Sequence, residues 1–475
     1  MFWLLIALLV FLFQIMTILI LEYRQPSKTV AWLLILFVLP VIGFVMYYFI
    51  AKEFQNRRTV RRRGVIAREV QLKALRQSAL VHRAQDMEAP DFAHEERLFN
   101  LLGSFSMLPI TGCNETEVLT NAEATYASIL DALEGAKHHI HLDYYTLRDD
   151  EIGCRFKEAL LRKAKQGVEI RIIYDGIGSL ELKSWFVKEL EEAGVCVQCF
   201  LTPRIAFFDK RVNFRNHRKI VVVDGTAGFV GGINIGDEYL GKDPKLGFWR
   251  DTHIKLTGDS VYYLQLVFMR DWWFTARERL EKPEYLPEHG CIGEEQVQIV
   301  ASGPDTSSDA ILEGVFSAIS AAKEKVYIAT PYFIPDPSVL MSLRTAALSG
   351  VDVRIILPHG SDSKLVLYSS LSYVEDLLMA GVRIYRYRKG FIHAKVMIVD
   401  RLLASVGTAN MDMRSFFSNF EINAHVYSAK AISRLEEDFM ADLEDCYELT
   451  LHEFEKRPRM QKAAEVVAHM LSPLL

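Results

Sequence analysis

The pattern His-x-Lys-x-x-x-x-Asp occurs twice in this 475-residue chain, at residues 217–224 and again at residues 393–400. In each copy a glycine follows the histidine by 14 positions and an asparagine follows it by 17; these residues are Gly231, Asn234, Gly407 and Asn410. One copy could arise by chance, but two copies with matched downstream spacing indicate a duplicated domain. The duplication predicts one active site that is assembled from two halves.

The sequence around the two motifs repeats in the same order. Strand-like runs at 139–145, 167–173 and 194–197 have counterparts at 325–332, 350–356 and 381–384. Short β-branched runs that alternate with helical stretches favour α/β units with largely buried strands. We therefore predict an α/β fold in which two tandem repeats pack as one bilobal catalytic unit. The repeats span residues 111–280 and 296–475, and the charged, proline-containing stretch between them is the linker.

The amino-terminal end of the chain has two long uncharged segments. A bilayer core requires about 20 apolar residues per helix. Residues 1–51 therefore predict a transmembrane hairpin with helices at about 2–21 and 29–50. A cleaved signal peptide is the alternative for the first segment, but that segment lacks a basic start and a second apolar segment follows it directly.

A basic cluster opens the next segment, which we predict to be a juxtamembrane and helical linker over residues 52–110. The cluster consists of Lys52, Arg57, Arg58, Arg61, Arg62 and Arg63. The hairpin turn contains only two basic residues, Arg24 and Lys28, so the charge difference predicts that the catalytic part is cytoplasmic. The cluster either binds anionic membrane lipids or serves only as this topology signal.

Composition argues against several other kinds of site. The net charge of −5 gives no reason to expect nucleic acid as a partner. The six cysteines are scattered and do not resemble a disulfide framework, and Cys196 and Cys199 are expected to be structural thiols. His139 and His141 lack a further ligand and are expected to face solvent. The sequence predicts neither a metal ion nor a cofactor.

The candidate catalytic residues are the His/Lys pairs, His217 with Lys219 and His393 with Lys395. Residues i and i+2 of a strand share a face, so each pair can point into the same cleft. A neutral imidazole can attack phosphorus or transfer protons, and lysines can hold anionic oxygens. This residue set suits phosphoryl-type chemistry without a metal.

The motif aspartates, Asp224 and Asp400, complete the set of candidate catalytic residues, although they are out of phase with the His/Lys face. We expect them to organise turns and backbone. Asp251 and Glu421 are candidates for the carboxylates that orient the histidines. A carboxylate bonded to one ring nitrogen fixes the tautomer and strengthens the other nitrogen as a nucleophile.

These paired motifs resemble the phospholipase D superfamily and, within it, the bacterial cardiolipin synthases. The resemblance covers almost the whole chain and includes Trp32-Leu-Leu, Asn216-His-Arg-Lys-Ile220, Gly231-Gly-Ile-Asn234, Trp249-Arg-Asp-Thr-His253, Ser302-Gly-Pro-Asp305, Thr330-Pro-Tyr-Phe-Ile-Pro-Asp336 and Ser472-Pro-Leu-Leu475. Thr408 stands where the superfamily often has Ser or Gly, and it is expected to donate to phosphate.

The resemblance implies a bacterial plasma-membrane enzyme that joins two phosphatidylglycerols into cardiolipin and releases glycerol. It implies His217 as the nucleophile and His393 as the acid and base. Lys219, Lys395, Asn234 and Asn410 would hold the phosphate oxygens. Four alternatives remain: a phospholipase D-type hydrolase, another phosphatidyltransferase such as a phosphatidylserine synthase, a superfamily nuclease, and a catalytically silent membrane scaffold.

Overall fold

The computed structural model describes residues 2–22, 26–50, 108–202, 214–306 and 308–474. Helices α1 to α15 span Phe2–Glu22, Pro26–Val38, Pro40–Ile50, Asn121–Gly135, Glu151–Lys165, Ser184–Glu192, Asp259–Ala276, Ala310–Ala321, Pro337–Leu348, Lys364–Leu371, Val374–Met379, Met413–Phe417, Ala429–Glu444, Leu451–Glu455 and Arg459–Leu471. Strands β1 to β19 span Ile110–Thr120, His139–Tyr144, Glu169–Asp175, Cys196–Phe200, Lys219–Val223, Ala227–Gly231, Phe248–Arg250, Thr252–Gly258, Glu295–Ser302, Lys325–Ala329, Phe333–Ile334, Asp352–Pro358, Arg383–Tyr387, Gly390–Ile392, Val396–Val399, Leu403–Gly407, Met411–Asp412, Glu421–Val426 and Cys446–Leu449.

Fifteen strands form one sheet in the order β19-β13-β12-β10-β15-β16-β18-β9-β1-β8-β6-β5-β2-β3-β4. Reading outward from the central antiparallel pair β1 and β9, the strands of the two halves follow in equivalent order. The predicted pair of tandem α/β repeats is therefore confirmed. The sheet is mixed, since β2, β3 and β4 run parallel while β2, β5, β6 and β8 pair antiparallel in turn.

A shared core joins the two repeats. Helix α7 is buried along almost its whole length, including Trp272, and it packs against β1, β8 and β9. Its apolar cluster contains Ile220 from the first motif strand and Ile398 from the second. Burying a large apolar side chain contributes about 1.5–3 kcal/mol, so this common core stabilises the two halves as one unit.

The histidines on β2 are buried, so the expectation that they face solvent is wrong. His139 and His141 have no exposed surface. The ring of His141 stacks on that of Phe268 of α7, with 4.4 Å between the ring centroids. The rings of both histidines, His139 and His141, pack against Tyr285 from the linker. The sequence does not show that α7 and the linker cover this face of the strand. Among the described residues, no group of three or more His, Cys, Asp and Glu is placed to hold a metal ion.

The cysteines also differ from expectation. Cys113 on β1 and Cys291 in the linker form a disulfide with a separation of 178 residues, although the scattered cysteines did not resemble a disulfide framework. Their pairing depends on the antiparallel contact of β1 with β9, which spacing alone does not reveal. Cys196 and Cys199 lie on β4 and are free thiols.

The membrane end contains one described helix that is long and apolar enough to cross a bilayer, the segment Leu5–Glu22 of α1. The predicted second helix at 29–50 is instead two helices, α2 and α3, so the two-span hairpin is not confirmed. Pro40 explains the break because proline lacks a backbone N–H. The basic cluster and most of the predicted linker at 52–110 lie outside the described residues.

Candidate active site

The backbone at each motif histidine is bonded to the opposite repeat. His217 lies just before β5 and its N–H donates to the carbonyl of Phe420 at 2.9 Å. His393 lies just before β15 and its N–H donates to the carbonyl of Arg250 at 2.7 Å. The residue after each carbonyl acceptor bears a carboxylate: Glu421 follows Phe420, and Asp251 follows Arg250. Each backbone hydrogen bond therefore brings a carboxylate next to the histidine.

The imidazoles form crosswise pairs with those carboxylates. His217 Nδ1 lies 2.9 Å from Glu421 Oε2, and His393 Nδ1 lies 2.7 Å from Asp251 Oδ2. Both carboxylates are fully buried. Each histidine belongs to one repeat and its carboxylate to the other, so neither repeat contains a complete pair by itself.

Two glycines allow the close approach around Asp251. A Cβ atom at Gly232 would collide with the Asp251 carboxylate, and one at Gly390 would collide with the backbone of Phe248. Gly390 opens β14, which pairs in parallel with β7 and leads directly to His393. Any larger residue at these positions would push the histidine and its carboxylate apart.

The Glu421 carboxylate is held from three sides. Its Oε2 accepts from Thr408 Oγ1 at 2.5 Å as well as contacting His217, and its Oε1 accepts from Asn419 Nδ2 at 3.0 Å. Thr408 therefore donates to the carboxylate, which differs from the expectation that it donates to phosphate. These bonds fix the face that Glu421 presents to the imidazole.

The two lysines occupy different positions relative to their histidines. Lys219 Nζ donates to the His217 carbonyl at 2.7 Å. Lys395 Nζ donates to the His393 carbonyl at 2.6 Å and also lies 3.0 Å from each ring nitrogen of His393. Burial lowers the pKa of Lys219 to about 7 and that of Lys395 to about 8, even though Glu421 and Asp251 oppose this shift.

Burial also makes both imidazoles neutral at ordinary pH. It lowers the pKa of His217 to about 4 although Glu421 raises it, and it lowers the pKa of His393 to about 4 with a further contribution from Lys395. The pKa values of Asp251 and Glu421 are lowered, because the favourable interactions with the histidines and lysines outweigh desolvation. With Nδ1–H donated to a carboxylate, Nε2 carries the lone pair on each ring.

The motif aspartates do not join this cluster. Asp224 and Asp400 follow the carboxyl-terminal ends of β5 and β15, the ends that lie away from the motif histidines. Their φ angles are positive, at 53° and 52°. Asp224 accepts the backbone N–H groups of residues 137, 138 and 139, and Asp400 accepts those of residues 323, 324 and 325. They anchor the start of β2 and β10, so their grouping with the catalytic residues is corrected to a structural position.

The two asparagines differ in their surroundings. Asn234 Nδ2 donates to Tyr239 Oη at 2.6 Å, and its Oδ1 accepts from the Thr146 N–H at 3.0 Å. Its amide therefore braces the protein and has limited capacity for phosphate. Asn410 is buried and lies with Lys395 around a small cavity. Its Oδ1 has no hydrogen-bond partner within the part of the chain that the structure describes.

Several residues of the site escaped the sequence analysis. Arg218, between the first histidine and lysine, is fully buried, and its Nη1 donates to both carboxylate oxygens of Asp271 on α7. Its Nε also donates to the backbone carbonyl of Glu421 at 3.1 Å. The ring of Tyr145 packs edge-on against His217, with 4.9 Å between the ring centroids. The ring of Trp249 packs at a tilt against His393, with 5.0 Å between the centroids. Trp249 belongs to the stretch Trp249-Arg-Asp-Thr-His253 that carries the family resemblance, but the sequence assigned no role to its ring.

Comparison with known proteins shows the family to which the chain belongs. The profile of the family described as "Cardiolipin synthase, PLD-like domain" matches residues 129–272 and 315–443, and that of "Phospholipase_D-nuclease N-terminal" matches residues 1–52. "Cardiolipin synthase 2" of Bacillus anthracis is 44% identical over 98% of this chain and 90% of its own length. "Major cardiolipin synthase ClsA" of Bacillus subtilis is 41% identical over 96% of this chain and 95% of its own length.

The chain belongs to the cardiolipin synthases of the phospholipase D superfamily. It is an enzyme, a phosphatidyltransferase that acts on phospholipids. Family membership and the apolar helix α1 together indicate a membrane protein. Among solved structures, phosphatidylserine synthase of Haemophilus influenzae superposes with a TM-score of 0.63 at 15% identity, covering 80% of this chain and 100% of that one, which shows a shared fold.

Proposed function

We propose that this cardiolipin synthase transfers a phosphatidyl group from one phosphatidylglycerol to another through a phosphatidyl-histidine on His217. The crosswise pairing of His217 with Glu421 and of His393 with Asp251 is the observation that carries the proposal. It provides two neutral imidazoles with the same tautomer in one site. One can act as nucleophile while the other moves protons.

In the first step, Nε2 of His217 attacks phosphorus of the donor lipid. The bond from phosphorus to the glycerol headgroup oxygen breaks, and His393 gives that oxygen a proton as glycerol leaves. Both imidazoles are neutral in the free site, so His393 must gain its proton when substrate binds. The anionic phosphodiester supports this by raising the pKa of a nearby imidazole.

In the second step, His393 takes the proton from a terminal hydroxyl of the second phosphatidylglycerol. That hydroxyl attacks phosphorus, the bond from phosphorus to His217 breaks, and cardiolipin forms. One phosphodiester replaces another, so the exchange is reversible and needs no nucleotide. Lys219, Lys395 and Asn410 hold the non-bridging oxygens in both steps, and Asn234 keeps the loop behind them in place.

His217 is the better nucleophile of the two because of its charged neighbours. Glu421 is the principal charge acting on His217, and a carboxylate increases electron density on the ring. Lys395 lies 3.0 Å from both nitrogens of His393, and a cation there withdraws electron density from the lone pair. Burial and the same cation lower the pKa of His393, which makes its imidazolium a stronger acid once the bound phosphodiester has allowed it to gain a proton.

The membrane attachment extends the proposal. Two helical hydrogen bonds are kept around the break between α2 and α3. The N–H of Leu39 donates to the carbonyl of Ile35, and the N–H of Gly43 donates to the carbonyl of Leu39. Their 25 residues from Pro26 to Ile50 correspond to about 37 Å at 1.5 Å per residue, enough to cross a bilayer. We propose that they form the second span and that the basic cluster from Lys52 to Arg63 keeps the catalytic part cytoplasmic, next to anionic lipid.

The decisive experiment uses the full-length protein in vesicles that contain phosphatidylglycerol, with products resolved by mass spectrometry. Cardiolipin and glycerol in equal amounts are expected. Phosphatidic acid without cardiolipin would identify a hydrolase instead. In a parallel reaction with added serine, formation of phosphatidylserine without cardiolipin would identify a phosphatidylserine synthase-like enzyme. The absence of any product would favour a catalytically silent scaffold.

A further inference from the structure

The carboxyl-terminal helix α15 carries its apolar residues on the outside. Met460, Val466 and Val467 are 83%, 61% and 54% exposed, and Ala463 and Met470 are exposed on the same side. The residues at 460, 463, 467 and 470 recur every three or four positions, which places them along one face of the helix. A helix on a water-soluble surface would normally show the opposite arrangement.

The inner face of α15 is polar and firmly bonded. Glu465 is buried, and its carboxylate accepts from Arg457 Nε at 2.8 Å and from Gln461 Nε2 at 2.9 Å. Arg457 also donates to Glu375 on α11 at 2.7 Å. His469 bonds to Ser372 Oγ at 2.9 Å. These bonds fix the rotation of the helix, so its apolar face cannot simply turn inward.

The outer face is continuous with the membrane end of the chain. Helix α15 and the residues after it contact α2, and Leu474 packs against a cluster formed by Ile18, Trp32, Leu36 and Tyr47. Ile18 lies in the segment of α1 that is long and apolar enough to cross a bilayer. The exposed stripe therefore begins where the chain meets the membrane helices.

The same helix is linked to the catalytic cluster. Residues 472–474 contact α12, which begins three residues after Asn410. α15 also packs along α10, and Ser370 Oγ of α10 accepts the N–H of Phe333 in β11. The carboxyl-terminal end of the chain therefore lies next to the second half of the site.

From this geometry we infer that α15 lies in the interface of the lipid bilayer, with Met460, Val466, Val467 and Met470 inserted among the acyl chains. In this position it would hold the second half of the site close to the membrane surface. Arg459 and Lys462, on the first turn, supply charges for anionic headgroups. The inference rests on the membrane attachment proposed above and adds a second, independent contact with lipid.

The direct test is photocrosslinking in the full-length protein reconstituted into vesicles of phosphatidylglycerol and phosphatidylcholine. The photoreactive residue p-benzoylphenylalanine replaces Val467, or Leu348 as a matched control, or Leu9 of α1 as a positive control. Leu348 is 70% exposed and therefore at least as accessible as Val467. It lies before the start of β12, at the strand ends that are farthest from the motif histidines. Masses of lipid adducts and of chain–chain adducts are then compared.

Lipid adducts at positions 467 and 9 but not at 348 are expected. Adducts at 9 without adducts at 467 would overturn the inference while leaving the membrane attachment intact. Chain–chain adducts at 467 would overturn it in favour of a second copy of this chain. Absence of lipid adducts at position 9 as well would contradict the attachment itself.

A functional test uses the double variant Val467→Glu/Met470→Glu, with Leu348→Glu as control. Insertion of these side chains contributes to contact with the bilayer, so cardiolipin formation from long-chain phosphatidylglycerol in vesicles should fall about tenfold. Turnover of a short-chain, monomeric phosphatidylglycerol should stay unchanged, because the chemistry is untouched. An unchanged rate in vesicles, or an equal loss with both substrates, would overturn the inference.

Discussion

His217 and His393 make the same backbone hydrogen bonds, but the charged groups around their rings differ. Both histidines donate a backbone N–H across the repeat boundary, and both pair through Nδ1 with a buried carboxylate. Around His217 the carboxylate is Glu421, which is held by Thr408 and Asn419. Around His393 it is Asp251, and the ammonium group of Lys395 lies directly against the ring.

Under the proposed mechanism, this difference in charge lets the two halves of the duplicated site take different roles while both keep the motif. Arg218 braces the first half by bonding Asp271 and the backbone of Glu421, whereas Ala394 stands at the equivalent position of the second motif. The first histidine is thus set in a rigid, electron-rich environment suited to a covalent intermediate. The second lies beside a cation and is suited to handling protons.

The largest expected effect comes from removing either imidazole. His217→Ala and His393→Ala should each reduce cardiolipin formation about 10,000-fold, because the two rings act as a unit. The rate is measured in vesicles by mass spectrometry, and thermal unfolding checks that each variant is folded. If one folded variant keeps activity within tenfold of the unsubstituted enzyme, the two histidines do not share the reaction as described.

Carboxylate variants sharpen the comparison between the halves. Glu421→Gln should reduce the rate about 1,000-fold and Asp251→Asn about 100-fold, because an amide cannot stabilise the imidazolium or enforce the tautomer. The larger loss belongs to Glu421, since it orients the nucleophile. A larger loss for Asp251→Asn would reverse the assigned roles. Glu158→Gln, on the exposed surface of α5, serves as a control that should leave the rate unchanged.

The lysines predict how the rate depends on pH. At low substrate, the rate should fall as the pH rises above about 5, because His393, whose pKa in the free site is about 4, must gain a proton before glycerol can leave. Above pH 7 to 8 the fall should become steeper, because Lys219 and Lys395 lose the protons that give them charge for phosphate. Lys219→Arg keeps its charge and should shift the alkaline fall upward by about one pH unit or more. An alkaline limb that stays in place in both Lys219→Arg and Lys395→Arg would contradict this origin.

The smallest effect on catalysis is expected at the motif aspartates. Asp224→Ala and Asp400→Ala each leave three backbone N–H groups without an acceptor and should lower the free energy of unfolding by about 1–3 kcal/mol. The rate of the folded fraction should change less than threefold. Asp224→Asn keeps an acceptor and tolerates the positive φ angle, so it should be the milder variant in urea unfolding. A loss of activity without a loss of stability would show that these aspartates take part in catalysis.

Much of this site was predictable from the sequence because its key residues repeat. The doubled motif indicated the two halves, and the spacing of two positions placed each histidine with its lysine. The out-of-phase position of Asp224 and Asp400 pointed to their backbone role. Asp251 and Glu421 were also recognisable as candidates because each lies shortly after its motif in a polar, aromatic stretch.

Other features depend on contacts between distant parts of the chain. No local pattern shows that His217 bonds Glu421, which is 204 residues away, rather than a carboxylate of its own repeat. The burial of His139 and His141 requires α7 and the linker to cover β2. The Cys113–Cys291 disulfide requires the β1–β9 pairing, and the break at Pro40 overrides an otherwise continuous apolar run.

The central claim is that His217 carries the phosphatidyl group, and trapping the adduct tests it most directly. The full-length enzyme and its His217→Ala and His393→Ala variants are mixed with phosphatidylglycerol, quenched in alkaline denaturant and digested for mass spectrometry. The account predicts a phosphatidyl group on the peptide that contains His217 in the enzyme and in His393→Ala, and none in His217→Ala. A phosphatidyl group on the peptide that contains His393, persisting in His217→Ala, would contradict it.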